Sequence, residues 1–156
     1  MNSNNKLPVN EFFPTIQGEA TYTGTPSFFL RLQQCPIACS FCDTKYTWDL
    51  TKEDETTNIN EIINKKSLDF TKGEGNSKYI YLSSQEIFKL IKNSNLKHVV
   101  FTGGEPCIYD LNEITTVLHE NGYKTQIETS GTFEIKTHPS TWVTLSPKYG
   151  KSIKRI

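Results

Sequence analysis

The sequence has 156 residues, the length of a single domain, and its 17 basic residues balance its 17 acidic residues. A net charge of zero gives no overall field that would attract nucleic acid or an anionic membrane surface. No apolar stretch approaches the roughly 20 residues of a membrane span, and the first six residues are polar, unlike a signal sequence. We therefore expect one soluble cytoplasmic domain, 1–156, that does not bind nucleic acid or membrane directly.

Predicted strands alternate with predicted helices along the chain. In chain order the elements are a strand at 28–32, a short helix near 59–64, a helix capped by Ser84 and ending near Asn93, a strand at 98–102, a helix at 111–120 and strands at 124–128 and 142–145. A polar stretch at 51–82 shows no sustained apolar period, and we interpret it as an insertion within the domain.

This alternation predicts a parallel sheet with helices on the outside and functional loops at the carboxyl ends of the strands. A complete eight-fold barrel needs about 250 residues, so the sequence supplies about half of one. The predicted fold class is α/β, a partial (β/α) barrel whose C-terminal part is missing.

Three of the four cysteines, Cys35, Cys39 and Cys42, lie on the loop that follows the first predicted strand. Their Cys-x3-Cys-x2-Cys spacing allows three thiolates to converge on one iron–sulfur cluster. Three protein ligands leave one iron of a four-iron cluster open for a cofactor or substrate, as in catalytic metal sites. A zinc site completed by Cys107 or a histidine, or buried free thiols, are the alternatives. We expect Cys107 to be packed rather than to act as a fourth ligand.

Six further segments, in order, resemble the 7-carboxy-7-deazaguanine synthase family of the radical S-adenosylmethionine (radical SAM) superfamily. The cysteine spacing alone resembles the superfamily signature, and the ordered set is specific for the family. The segments are 16–19, the strand ending in Arg31, 42–48, 102–107, 126–132 and 146–148. The likeness extends from about Val9 to Lys148.

The resemblance implies an enzyme that converts 6-carboxy-5,6,7,8-tetrahydropterin to 7-carboxy-7-deazaguanine with loss of ammonia, in the 7-deazapurine pathway that leads to queuosine in transfer RNA. It implies three cofactors: a [4Fe-4S] cluster, S-adenosylmethionine and Mg²⁺. It also implies an electron donor such as flavodoxin, and a homodimer.

The family's functional residues carry over to matching positions of this sequence. The cluster ligands are Cys35, Cys39 and Cys42; the magnesium ligand is Thr44; the pterin is bound by Ile16, Gln17, Gly18, Arg31 and Thr102; and S-adenosylmethionine is bound by Gly103, Gly104, Glu105, Glu128, Ser146, Pro147 and Lys148. Within S-adenosylmethionine, Glu105 is expected to accept from the methionine ammonium, and Glu128 is suited to the ribose hydroxyls. We assign no catalytic side chain, because the cofactors carry the radical chemistry.

Several of these positions have a structural alternative. Arg31 can bind the substrate carboxylate through two parallel hydrogen bonds, or it can form a salt bridge with Glu19 or Glu11. The segments 17–19 and 128–130 could also be ordinary turns. Without the family, Asp43 would be the better magnesium ligand. The three histidines, His98, His119 and His138, have no motif context, and we expect them to be structural or exposed.

Three other functions remain open from the sequence. One is a truncated, inactive fragment that binds the cluster. The second is an activase similar to the glycyl-radical activases, which are small radical SAM proteins that act on a partner protein. The third is a zinc-binding structural module.

Overall fold

The computed structural model describes residues 6–63, 76–148 and 150. Its strands are β1 (Leu7–Ile16), β2 (Pro26–Leu32), β3 (Ile80–Leu82), β4 (His98–Gly103), β5 (Lys124–Thr129) and β6 (Trp142–Leu145). They form one sheet in the order β3-β1-β2-β4-β5-β6. Strands β2, β4, β5 and β6 run parallel, whereas β1 is antiparallel to both neighbours. Across the described residues this sheet is open, which confirms the predicted partial (β/α) barrel.

In the described part of the chain, three α-helices accompany the sheet: α1 (Asn60–Ile63), α2 (Ser84–Lys92) and α3 (Asn112–Glu120). The N-cap of α2 is Ser83 rather than the predicted Ser84. Ser83 Oγ accepts a hydrogen bond from the Glu86 amide, and the Glu86 carboxylate accepts one from the Ser83 amide, which makes a capping box. Ser84 is buried as the first helical residue. No helix in the described ranges is long and apolar enough to cross a membrane.

Strands β1 and β3 were not predicted from the sequence. Strand β1 contains Pro8 and Pro14, which cannot donate to a ladder and normally argue against a strand. Strand β3 pairs only with Leu7–Val9, so Pro14 lies where β1 has β2 as its single neighbour. A bulge between Val9 and Glu11 also breaks the regular alternation of β1.

The predicted insertion at 51–82 includes α1 and ends in β3. Residues 64–75 lie outside the described residues. Tyr79 and Ile80 are buried, so the end of this segment belongs to the folded core. That the whole segment is an insertion stays a prediction.

The two faces of the sheet differ in chemistry. Successive side chains of a strand point to opposite faces, and the outer face packs against α2 and α3. The core between these layers includes Leu30, Leu32, Val99, Phe101, Ile127, Ile87, Ile91, Ile114 and Leu118. The apolar core is therefore on the helix side, which leaves the inner face free to carry polar groups.

A row of polar residues crosses the inner face. Glu11 of β1 lies opposite Arg31 of β2, and Arg31 lies beside Thr102 of β4. Thr102 Oγ1 donates to Glu128 of β5 at 2.9 Å, and Glu128 lies beside Thr144 of β6. The fold thus aligns two carboxylates and a guanidinium across the middle of the sheet.

Candidate functional site

A cavity of about 570 Å³ lies over the inner face and the carboxyl ends of the parallel strands. Every predicted site residue except Pro147 lines it: Ile16, Gln17, Gly18, Arg31, Cys35, Cys39, Cys42, Thr44, Thr102, Gly103, Gly104, Glu105, Glu128, Ser146 and Lys148. The carboxyl ends of parallel strands meet at one edge of a sheet, so motifs distant in sequence converge there. The ligand that each residue binds stays a prediction.

The base of the cysteine loop is closed by hydrogen bonds. Gln34 N donates to Thr47 O at 2.7 Å, and Cys35 N donates to Trp48 O at 3.0 Å. The Gln33 amide, which is fully buried, donates to the carbonyls of Tyr46 and Asp49 at 2.9 and 2.7 Å. Since both ends of the loop are fixed, the three cysteines are held in a defined region of the cavity.

The two glycines at the end of β4 permit close contact with this loop. A Cβ added to Gly104 would lie 2.1 Å from the carbonyl oxygen of Gln34, and one added to Gly103 would lie 2.4 Å from the backbone of Leu32. Gly103 also has φ +120°, a conformation that favours glycine. Gly104 N donates to Leu32 O at 2.9 Å. The glycines therefore bring β4 against the cysteine loop, in addition to any contact with cofactor.

Glu105 is buried and connects the ends of β4 and β5. Its Oε1 accepts from Thr129 Oγ1 at 2.6 Å and from Cys107 N at 3.1 Å. Its Oε2 accepts from the amide and hydroxyl of Ser130 at 2.9 and 2.5 Å. A carboxylate has about four acceptor positions, so these bonds occupy the capacity of Glu105. Its predicted contact with the methionine ammonium would require one of them to be released.

Gln17 and Thr102, both predicted to bind the pterin, share Glu128 as a partner. Gln17 Nε2 donates to Glu128 Oε1 at 2.9 Å, and Thr102 Oγ1 donates to Glu128 Oε2. The Gln17 oxygen accepts from Glu19 N at 3.0 Å, so the amide is fixed at both ends. Glu128, predicted to bind a ribose, therefore lies directly among the predicted pterin residues.

Arg31 forms the predicted salt bridge with Glu11 and also lines the cavity, and its binding of the substrate carboxylate stays a prediction. Its Nε donates to Glu11 Oε1 at 2.5 Å. The Tyr46 hydroxyl donates to the same Glu11 oxygen at 3.3 Å. Glu19, the other candidate partner, instead donates its backbone amide to Gln17.

The thiols suit a cluster with three protein ligands. Cys35, Cys39 and Cys42 are free, half-buried and face the cavity. Burial raises the pKa of Cys35. Cys107 is buried outside the cavity lining, and burial raises its pKa to about 11. Three free thiols line the cavity, which is the number of cysteine ligands expected from the spacing, and their role as cluster ligands stays a prediction.

The predicted magnesium ligand Thr44 lies beside a predicted cluster ligand. Its side chain is 8% exposed, and its Oγ1 lies 3.5 Å from Cys42 Sγ. Asp43, the alternative from the residues alone, is exposed and also lines the cavity. Among the described residues, no three His, Cys, Asp or Glu side chains are grouped for a single metal ion. Magnesium therefore stays a prediction.

Three supporting residues were not among the predicted site residues. Gln33 lies two residues before Cys35, and Tyr46 lies four residues after Cys42. Glu11 was considered only as a salt-bridge partner. The polar Arg31 in an otherwise apolar strand is the sequence signal for Glu11, since a buried polar group needs a partner. Gln33 and Tyr46 lie outside the strands, so this signal does not extend to them.

Comparison with known proteins supports the family resemblance that the sequence motifs indicate. The profile described as the Radical SAM superfamily matches residues 31–153. The chain is 52% identical over 146 residues to the 7-carboxy-7-deazaguanine synthase of Buchnera aphidicola subsp. Schizaphis graminum, which covers 92% of this chain and 63% of that protein. It is 44% identical over 145 residues to the synthase of Escherichia coli strain K12, covering 92% and 61%.

A crystal structure of QueE from Escherichia coli superposes with a TM-score of 0.85 at 41% identity, covering 97% of this chain and 67% of that one. The chain spans less than two thirds of the length of these two curated relatives. The superfamily profile nevertheless covers most of the chain and includes all three cysteines. The chain therefore belongs to the radical SAM superfamily.

Proposed function

We propose that this chain carries the cluster-binding and substrate-binding part of a 7-carboxy-7-deazaguanine synthase, which converts 6-carboxy-5,6,7,8-tetrahydropterin to 7-carboxy-7-deazaguanine with loss of ammonia. The supporting observation is that residues from six separate motifs line one cavity beside the three cysteines. The similarity to synthases from two bacteria supports this reaction over that of a glycyl-radical activase.

Each wall of the cavity has a distinct task in this proposal. Cys35, Cys39 and Cys42 hold the [4Fe-4S] cluster, which together with S-adenosylmethionine supplies the radical that removes a hydrogen from the substrate. The loops after β4 and β6 bind S-adenosylmethionine through Gly103, Gly104, Glu105, Ser146, Pro147 and Lys148, with Glu128 at the ribose.

The pterin lies against the inner face of the sheet. Arg31 binds its carboxylate, because a guanidinium and a carboxylate form two parallel charge-assisted hydrogen bonds. Ile16, Gln17, Gly18 and Thr102 orient the ring. Gln17 and Thr102 are held by Glu128, so their positions are set before the substrate binds.

Four further features belong to the proposal. Mg²⁺ binds at Thr44 next to the substrate carboxylate, because magnesium prefers oxygen ligands and keeps few from the protein. An electron donor such as flavodoxin reduces the cluster. The enzyme forms a homodimer, and it works in the cytoplasm, where thiols stay reduced.

Anaerobic reconstitution with iron and sulfide tests the proposal. The chain is then assayed with dithionite, S-adenosylmethionine, Mg²⁺ and 6-carboxy-5,6,7,8-tetrahydropterin, and the product is identified by mass spectrometry. We expect a [4Fe-4S] spectrum that is lost in Cys39→Ala and kept in Cys107→Ala. Product from the chain establishes the synthase activity. A cluster without product limits the chain to cluster binding, and bound zinc without sulfide would overturn the proposal.

A further inference from the structure

Arg31 lines the cavity and also contacts a residue outside the cavity lining. Its Nε donates to Glu11, and the Tyr46 hydroxyl donates to the same Glu11 oxygen; neither Glu11 nor Tyr46 is among the lining residues. Glu11 lies directly opposite Arg31 in the antiparallel register of β1 and β2. The side chains of Arg31 and Glu11 are each only 16% exposed, so the pair is largely shielded from water.

The bond from Nε to Glu11 restricts how Arg31 can bind another carboxylate. A guanidinium has five N–H donors in a rigid plane, and it grips a carboxylate either from the side, through Nε and one terminal nitrogen, or from the end, through both terminal nitrogens. Glu11 occupies the Nε donor. For a carboxylate in the cavity that Arg31 lines, the arrangement that remains is the end-on one.

We propose that Glu11 and Tyr46 are positioning residues that hold Arg31 for end-on binding of the substrate carboxylate. This inference rests on the proposed function, and it adds the residues that determine selectivity for a carboxylated pterin. The guanidinium is neutralised from behind by Glu11, and its orientation is fixed before a ligand arrives.

Tyr46 links this arrangement to the cysteine loop. Its hydroxyl donates to the Glu11 oxygen that also accepts from Arg31. Its backbone carbonyl accepts from the buried Gln33 amide at the base of the loop. The segment that closes the cluster loop therefore also supports the substrate arginine.

A purely electrostatic role for Glu11 predicts the opposite behaviour. Glu11 is an anion beside the proposed anion-binding group, so its neutralisation would strengthen the attraction of Arg31 for a carboxylate. Positioning predicts weaker binding, because an unrestrained guanidinium must be ordered by the ligand itself. The sign of the change in affinity therefore separates the two roles.

The test uses the full chain and two oxidised, fluorescent probes, 6-carboxypterin and unsubstituted pterin. The dissociation constant of each probe is measured by fluorescence titration. The dissociation constant of pterin divided by that of 6-carboxypterin gives the selectivity for the carboxylate. We expect Glu11→Gln to lower this ratio roughly tenfold, about the value of one charge-assisted hydrogen bond. Tyr46→Phe, which keeps the ring, should lower it by a smaller factor. Glu120→Gln, an exposed neutralisation on α3, is the matched control and should leave it unchanged.

A double-variant cycle distinguishes positioning from a general loss of structure. In an Arg31→Lys background, Glu11→Gln should have no further effect on the ratio, because the group that it orients is absent. An unchanged or higher ratio in both Glu11→Gln and Tyr46→Phe overturns the inference while the proposed function stands. If the unchanged chain itself does not prefer 6-carboxypterin, the assignment of Arg31 to a carboxylate fails, and this inference fails with it.

Discussion

Gly104 lies so close to Gln34 that a Cβ on the glycine would be 2.1 Å from the Gln34 carbonyl oxygen. The next residue, Glu105, donates its amide to that same oxygen at 2.9 Å. The end of β4 and the start of the cysteine loop are therefore in direct backbone contact, with no space for a side chain between them.

We expect Gly104→Ala to displace the cysteine loop and reduce cluster binding. The contact is with backbone, which cannot move aside as a flexible side chain can, so the free energy of unfolding should fall by about 3 kcal/mol. Urea denaturation and the iron content after reconstitution measure the two effects. Gly18→Ala is the matched control, since a Cβ there meets nothing within 4 Å. Full iron content in Gly104→Ala would show that the loop position does not depend on this contact.

Gln33 is expected to be essential for the closed base of the loop. Its amide donates to two carbonyls and accepts from Asn10 Nδ2 at 2.7 Å, all without exposure to solvent. Gln33→Leu removes these bonds at a buried site and should lower the free energy of unfolding by about 3 kcal/mol. Gln85→Leu, an exposed change on α2, should alter it by about 0.5 kcal/mol or less. Equal effects of the two substitutions in urea denaturation would contradict this interpretation.

The hydrogen bonds of Glu105 indicate that this carboxylate mainly stabilises the fold. In Glu105→Gln an NH₂ group replaces one acceptor oxygen and faces protein donors, so the free energy of unfolding should fall by about 2 kcal/mol. Urea denaturation of the apo chain measures this loss, and equilibrium dialysis of the reconstituted chain measures affinity for S-adenosylmethionine. Unchanged stability with lost affinity would instead support the direct contact with the methionine ammonium predicted from the sequence.

Much of the candidate site could be predicted because its motifs follow buried strands. The apolar runs at 28–32 and 98–102 indicated two parallel strands, and residues after such strands meet at one edge of the sheet. This explains why Cys35, Thr102 and Glu128 share a cavity despite their separation in sequence.

The supporting residues depended on tertiary information that local patterns do not contain. Strand β1 was missed because two prolines and a bulge conceal its alternation. Without β1, Glu11 was only one of two possible partners of Arg31; the choice of Glu11 over Glu19 follows from the antiparallel register. The partners of Gln33 lie 13 and 16 residues further along the chain, at the other end of a closed loop.

We expect His98, which lies outside the lining of the candidate site, to make the stability of the chain depend on pH. His98 is 3% exposed at the start of β4, its Nδ1 lies 2.9 Å from Ser27 Oγ, and its Nε2 has no hydrogen-bond partner among the described residues. Burial, and then the nearby Lys124, lower its pKa below the usual 6.5. The unfolded chain therefore binds a proton at His98 more readily than the folded chain does. The contribution of neutral His98 to stability is complete above about pH 6.5 and is lost as the pH falls through the lower, folded pKa. Urea denaturation between pH 7.5 and about 5 should show this decline. We expect His98→Leu to flatten the decline and exposed His119→Gln to retain it; an equal slope in both would exclude His98 as its source.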